Sequence, residues 1–249
     1  MRHSIISILA FTAVALSSSG FVNAAELEKA KIKAKQSFID RNEFIYQGNV
    51  SYQHGQLTIS ADKLIRVNNN RKKVSVIGNP VTVTFIDVRG ETTNIQSPEI
   101  LYWEDSGEII ASGSANDAIK IVQTSKQDTL TLTGNKLKAN RKTSGGFSFT
   151  LTGSPTFFKL QRPQQPLIEA RAASLSSNGK VRQTELRGNV QLRQGDSLMA
   201  AASMTYDGET ELISAQQSED GSQRVETEFF WQKDTENQDS DNKDKKEQP

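Results

Sequence analysis

Two short elements recur in phase along this chain, and their phasing leaves few folds open to it. A four-residue element of a small residue, two of any kind, then Leu, Ile or Met stands at Ala61 to Leu64, Ser97 to Ile100, Gly134 to Leu137, Ala172 to Leu175 and Ala201 to Met204. The intervals are 36, 37, 38 and 29 residues. A glycine turn follows each of the first four: Gly78-Asn79-Pro80, Gly113-Ser114-Ala115, Gly153-Ser154-Pro155 and Gly188-Asn189-Val190. One more, Gly48-Asn49-Val50, precedes the first. A single Gly-Asn pair would mean only a turn. Five such turns in phase with a second element mean stacked units, each a strand, a corner, a strand and a tight reversal. No unit could bury its apolar face alone, and stacking supplies the missing partner. Glycine at one corner accepts positive φ, and the small residue at the other avoids collision where strands bend.

Between turn signals lie short runs with every second residue apolar, such as Leu57, Ile59, Ala61 and Val81, Val83, Phe85. No stretch sustains a helical period. Reversals are expected at His54-Gly55, Asn79-Pro80, Arg89-Gly90, Ser106-Gly107, Gly145-Gly146, Asn178-Gly179 and Asp207-Gly208. The expectation is an all-β chain: an open, elongated β-jellyroll of stacked repeats, with roughly 14–16 antiparallel strands in two walls around a continuous apolar interior. Ile59, Val76, Val83, Phe85, Ile95, Phe147, Phe149, Phe157 and Leu192 are expected to face that interior, either filling a core or lining a groove.

The ends read differently. Residues 1–24 have the layout of a secretory signal peptide: Arg2 and His3, an apolar run from Ile5 to Leu16, then a polar stretch ending Val22-Asn23-Ala24. That run falls well short of the roughly 20 residues needed to span a bilayer. Cleavage after Ala24 would start the mature protein at Ala25 and leave residues 25–231 as one β domain. Residues 232–249 are almost wholly polar and are expected to be a disordered tail. The formal net charge of +1 falls to zero when Arg2 leaves with the signal, so nothing biases the mature protein toward nucleic acid. There is no cysteine, which removes disulfides, thiolate metal sites and a cysteine nucleophile. His54 is the one histidine of the mature chain, on a turn where exposure to solvent is expected. No serine triad or histidine-based metal site can be built, no cofactor is implied, and pairs such as Glu104-Asp105 read as surface turns. The chain reads as a non-enzyme whose interior is its active feature.

From Phe44 to Val67, Tyr46, Gly48, Asn49, Val50, Gly55, Ile59, Ala61, Asp62 and Lys63, with the signal peptide and the polar tail, resemble the LptA/OstA-like family of lipopolysaccharide transport; the likeness extends from about Lys31 to Ala215. Ser97-Pro98 and Gly134-Asn135 depart from it where the pattern has Ala-Asp. The resemblance implies a periplasmic β-jellyroll whose interior shields the acyl chains of lipid A. It also implies a bridge from an inner-membrane lipopolysaccharide export complex to an outer-membrane translocon. An open sheet leaves unpaired edges, which predicts head-to-tail homo-oligomers through the first and last strands, near Lys31–Ser37 and Met199–Asp207, with Ile32, Ala34 and Tyr206 as edge residues. Two other readings fit the same residues: an envelope or adhesin-like β-solenoid with a filled core, and a membrane-anchored relative in the same transport system.

Overall fold

The computed structural model describes residues 29–67, 72–87, 89–142 and 146–229. The expected signal peptide, the polar tail and the turn at Gly145 lie outside them. The described residues form sixteen strands and no helix. In chain order they are β1 (Ala30–Lys33), β2 (Gln36–Asp40), β3 (Glu43–His54), β4 (Leu57–Val67), β5 (Lys73–Ile86), β6 (Thr92–Trp103), β7 (Glu108–Ser112) and β8 (Ile119–Thr124). They continue with β9 (Thr129–Gly134), β10 (Lys136–Lys142), β11 (Gly146–Gln161), β12 (Ile168–Asn178), β13 (Gln183–Gln194), β14 (Ser197–Asp207), β15 (Ile213–Gln216) and β16 (Glu226–Glu228). Every pairing is antiparallel, in agreement with the all-β jellyroll expected from the alternation.

Eight long strands bend and contribute one half to each of two walls. The first wall runs β2, β3 to Gln47, β4 from Lys63, β5 to Ile77, β6 from Glu99, β7, β10, β11 to Thr152, β12 from Ser174, β13 to Arg187, β14 from Ser203, and β15. The second wall runs in the same order: β1, the other halves of β3 to β6, then β8, β9, the other halves of β11 to β14, and β16.

This arrangement explains the two interleaved repeats as the two directions of crossing. The glycine turns carry the chain from the first wall to the second, at Gly48, Gly78, Gly113, Gly153 and Gly188. The small-x-x-Leu elements carry it back, at Ala61, Ser97, Gly134, Ala172 and Ala201. Ala61 and Leu64 both face the interior although three residues separate them. A step of three where a straight strand takes two resets the alternation, so both halves keep their apolar face inside. Small residues are required there: a Cβ on Gly134 would lie 2.7 Å from Leu151 Cγ. At Gly48-Asn49 and Gly188-Asn189 two successive left-handed residues make the corner, with φ of 78° and 48° in the first pair and 84° and 48° in the second. Asparagine is the side-chain-bearing residue that tolerates this best. Asn79-Pro80 is therefore a corner inside β5 and not the reversal its composition suggested.

The sheet ends only partly where the sequence placed them. Among the described residues β1 and β2 at the amino-terminal end each pair on one side only, with β3, which places Ile32 in β1 and Ala34 just after it at an edge. Tyr206 does not. It is buried within β14, which is paired on its far side by β15 over Ser203–Tyr206 and by β16 over Leu198–Ala200. The carboxy-terminal edge belongs to β15 and β16, of four and three residues, too short to be read as strands from sequence even though Ile213 and Ala215 of β15 alternate with polar neighbours.

Candidate binding interior

Eight of the nine residues expected to face inward do so. Ile59, Val76, Val83, Phe85, Ile95, Phe147, Phe149 and Leu192 are all buried in one apolar cluster that runs from Val50 to Tyr206. Phe85 of the second wall meets Phe147 of the first, ring centroids 4.7 Å apart, and Phe147 in turn meets Phe149 at 5.3 Å. The exception is Phe157, which is 51 % exposed on the outer face, while Phe158 beside it is 2 % exposed. The corner at Gly153-Ser154-Pro155 is the cause. Inward positions fall at Phe147, Phe149 and Leu151 before it and at Thr156, Phe158 and Leu160 after it, so continuing the first alternation across the corner picks the wrong phenylalanine. Lys159, exposed between Phe158 and Leu160, is the sequence signal that marks the new phase.

Strands cross from wall to wall along one seam, and on the opposite side the hairpin turns of the two walls form two lips. The walls are slanted, so the second-wall turn between β5 and β6 meets the first-wall turn between β12 and β13. Arg182 Nη2 of one lip lies 3.0 Å from Glu91 Oε1 of the other, and Arg89 donates from Nη2 to the Gly179 carbonyl at 3.2 Å. Asp87 shapes its own turn by accepting the amides of Arg89 and Glu91, each at 2.9 Å. Beneath this contact is a void of about 60 Å³ whose lining includes Phe85, Leu130 and Phe147. A larger hollow of about 620 Å³ lies instead among polar residues such as Lys138, Ser148, Glu185 and Thr205.

Two further ties join the lips. Toward the amino-terminal end Tyr52 of the second wall donates its hydroxyl to Glu104 Oε1 at 2.8 Å. Arg66 donates to both oxygens of that carboxylate at 2.8, 3.0 and 3.2 Å. Toward the other end Tyr206 donates to Asp128 Oδ2 at 2.5 Å. Arg162 lies 5.3 Å from the centre of the Tyr206 ring and donates to the Glu211 carbonyl at 3.1 Å.

These ties correct two readings of the sequence. Glu104 is no surface turn residue: its side chain is 8 % exposed. Burial alone would raise its carboxyl, but the hydrogen bonds from Arg66 and Tyr52 outweigh that and hold it below the ordinary glutamate value. The Tyr52 hydroxyl is pushed up by burial and by its bond to Glu104; that of Tyr206 is pushed up to about 12 by burial and by Asp128. His54 is likewise inside, with Nδ1 3.2 Å from the Tyr102 hydroxyl. It continues the inward series Val50, Tyr52, so alternation outranks the turn composition that suggested exposure.

Among the described residues no group of three or more His, Asp or Glu side chains could hold a metal ion. The arrangement is of another kind: one apolar cluster shared by both walls and bordered by polar contacts between the lips. No curated protein matches the sequence. Among solved structures the chain is similar to LptH of Pseudomonas aeruginosa, described as the LptA-homologous periplasmic component of the lipopolysaccharide transport device. The likeness has 16 % identity and a TM-score of 0.45, covering 55 % of this chain and 94 % of that one. The family model described as LptA/(LptD N-terminal domain) LPS transport protein matches residues 31–116 and 122–212, two stretches separated by residues 117–121 at the end of the β7–β8 crossing and the start of β8. With well over half its length matched, the chain belongs to the LptA/LptD N-terminal domain family of lipopolysaccharide transport proteins.

Proposed function

We propose that this chain is a periplasmic carrier that takes the acyl chains of lipid A between its two walls, leaves the sugars in water, and bridges inner- and outer-membrane export complexes. It performs no covalent chemistry. The observation that carries the reading is the single apolar interior shared by both walls and closed along the lips, among the described residues, by contacts made through side chains such as Arg182 and Arg89. Burying a methylene is worth about 0.8 kcal/mol, so a twelve-carbon chain held in water costs on the order of 10 kcal/mol. A continuous interior removes that cost along the whole path. The one-sided edges of β1 and β2 at one end, and of β15 and β16 at the other, support end-to-end addition of further copies or of partners with the same fold.

One observation favours a second reading. Interior side chains such as Ile95, Leu132 and Val190 are fully buried by the protein's own side chains, as a purely structural β-solenoid would have them. Photocrosslinking in cells separates the two. A photoreactive residue at Ile59 or Phe149, both buried, is expected to yield lipopolysaccharide adducts, and one at Thr58 or Ser148, each one residue away on the outer face, is not. Adducts at none of the four sites would leave the filled structural protein as the better account.

A further inference from the structure

The interior is closed in the form described, so cargo has to part the walls somewhere, and the three ties across the lips are not equivalent. The Tyr52–Glu104–Arg66 tie rests on a fully buried tyrosine and a carboxylate 8 % exposed. The Tyr206 tie rests on a buried tyrosine capped by an arginine side chain 9 % exposed. Opening either would strand a desolvated polar group in an apolar wall. The central tie differs: the side chains of Arg89, Arg182 and Glu91 are 37 %, 17 % and 27 % exposed. Water can take over these ions as they separate. A void of about 60 Å³ also lies directly below, bordered by Arg89, Glu91 and Arg182 themselves, by Phe85, Leu130 and Phe147 on its apolar side, and by Asp128 and Tyr206 of the neighbouring tie. Phe85 and Phe147 come from opposite walls, so parting these two rings opens the interior to the lip.

We propose that acyl chains enter sideways at this point, with the Arg182–Glu91 pair and the Arg89–Gly179 bond as a latch that opens while the two outer ties hold. The cargo class is an acylated amphiphile, whose chains slide in past Phe85 and Phe147 while its polar head stays at the arginine-lined lip. This rests on the carrier reading above and adds to it a place and a gate.

The chain's lack of cysteine makes the test clean. Glu91→Cys with Arg182→Cys places one thiol on each lip, to be joined by a short bis-maleimide. Glu169→Cys with Arg193→Cys, a neighbouring pair on the outside of the second wall, receives the same linker as control. Two probes are offered to the mature protein: hexa-acylated lipid A from detergent micelles, followed by native mass spectrometry, and the neutral dye N-phenyl-1-naphthylamine, followed by fluorescence. Linking the lips is expected to abolish loading of both probes, and the control link to leave it unchanged. Arg182→Gln is expected to speed loading about five-fold, the population shift that follows loss of one partly exposed ion pair. Loading of the linked protein at the unlinked rate overturns the latch and leaves the carrier reading standing. Dye uptake that obeys the link, with lipid A refused by every form, supports the latch as a feature of the fold and overturns the carrier reading instead.

Discussion

Replacing Phe158 and Phe157 in turn by alanine tests the rule that a corner resets the alternation. Phe158 is 2 % exposed and packs edge-on against Tyr206 at 6.0 Å. Truncating a fully buried phenylalanine costs about 3–5 kcal/mol through lost transfer energy and the cavity left behind. Collapse of the surroundings is limited here because Tyr206 is itself held by Asp128 and Arg162, which argues against the low end of that range and for about 4 kcal/mol. Phe157 is 51 % exposed on the outer face, and removing it forfeits about 1 kcal/mol, half the transfer energy of the side chain and no cavity. For a domain of this size each kcal/mol moves the melting temperature by roughly 2–4 °C. The two variants should therefore melt about 10 °C apart, and their urea midpoints should separate at unchanged slope. Equal losses, or the greater loss at Phe157, would refute the reset of phase at Gly153-Ser154-Pro155.

Two further outcomes follow from the lips and turns. The Glu104 carboxyl sits below its ordinary value in the folded state, so it contributes stability above the unfolded value near 4.5, and that contribution fades as pH falls through the depressed folded value. Glu104→Gln should be less stable than the parent at pH 7, and denaturant titrations should show the gap narrowing below about pH 4.5; a gap constant with pH would mean that the charge is not what Arg66 and Tyr52 hold. Gly107 and Gly90 both have positive φ, 68° and 80°, but a Cβ on Gly107 would lie 2.4 Å from the Arg141 carbonyl oxygen whereas one on Gly90 meets nothing. Gly90→Ala is expected to cost about 1 kcal/mol from backbone strain alone and Gly107→Ala about 3 kcal/mol, and equal costs by urea denaturation would count against the close approach of β10 to that turn.

Most of the fold was legible because its rules are local. Alternation places Ile59, Val83 or Phe147 correctly within a strand, and small residues in phase mark the corners at Ala61, Ala172 and Ala201. Parity across a corner was not legible, because the step is three residues at Ala61–Leu64 but five between Leu151 and Thr156. Hence the exchange of Phe157 for Phe158. Contacts across the lips were hidden for a different reason: the slant of the walls brings Glu91 to Arg182 and Asp128 to Tyr206, pairs far apart in sequence with no pattern linking them. The misplaced edge at Tyr206 reflects the shortness of β15 and β16, four and three residues that pair with β14 beyond the last long run.

The corners also govern how a chain of this kind can change in length over descent. A residue added in a lip turn is followed by a reversal, and the strands on either side keep their phase. One added between Ala61 and Leu64 would turn Leu64 outward and Lys63 inward along half a strand, while the neighbours on both sides stay as they were. Growth is thereby confined to two currencies, slack in the lips or a whole further crossing and return. The second lengthens the apolar interior without altering its cross-section, so the reach of such a protein can drift while what it encloses stays the same.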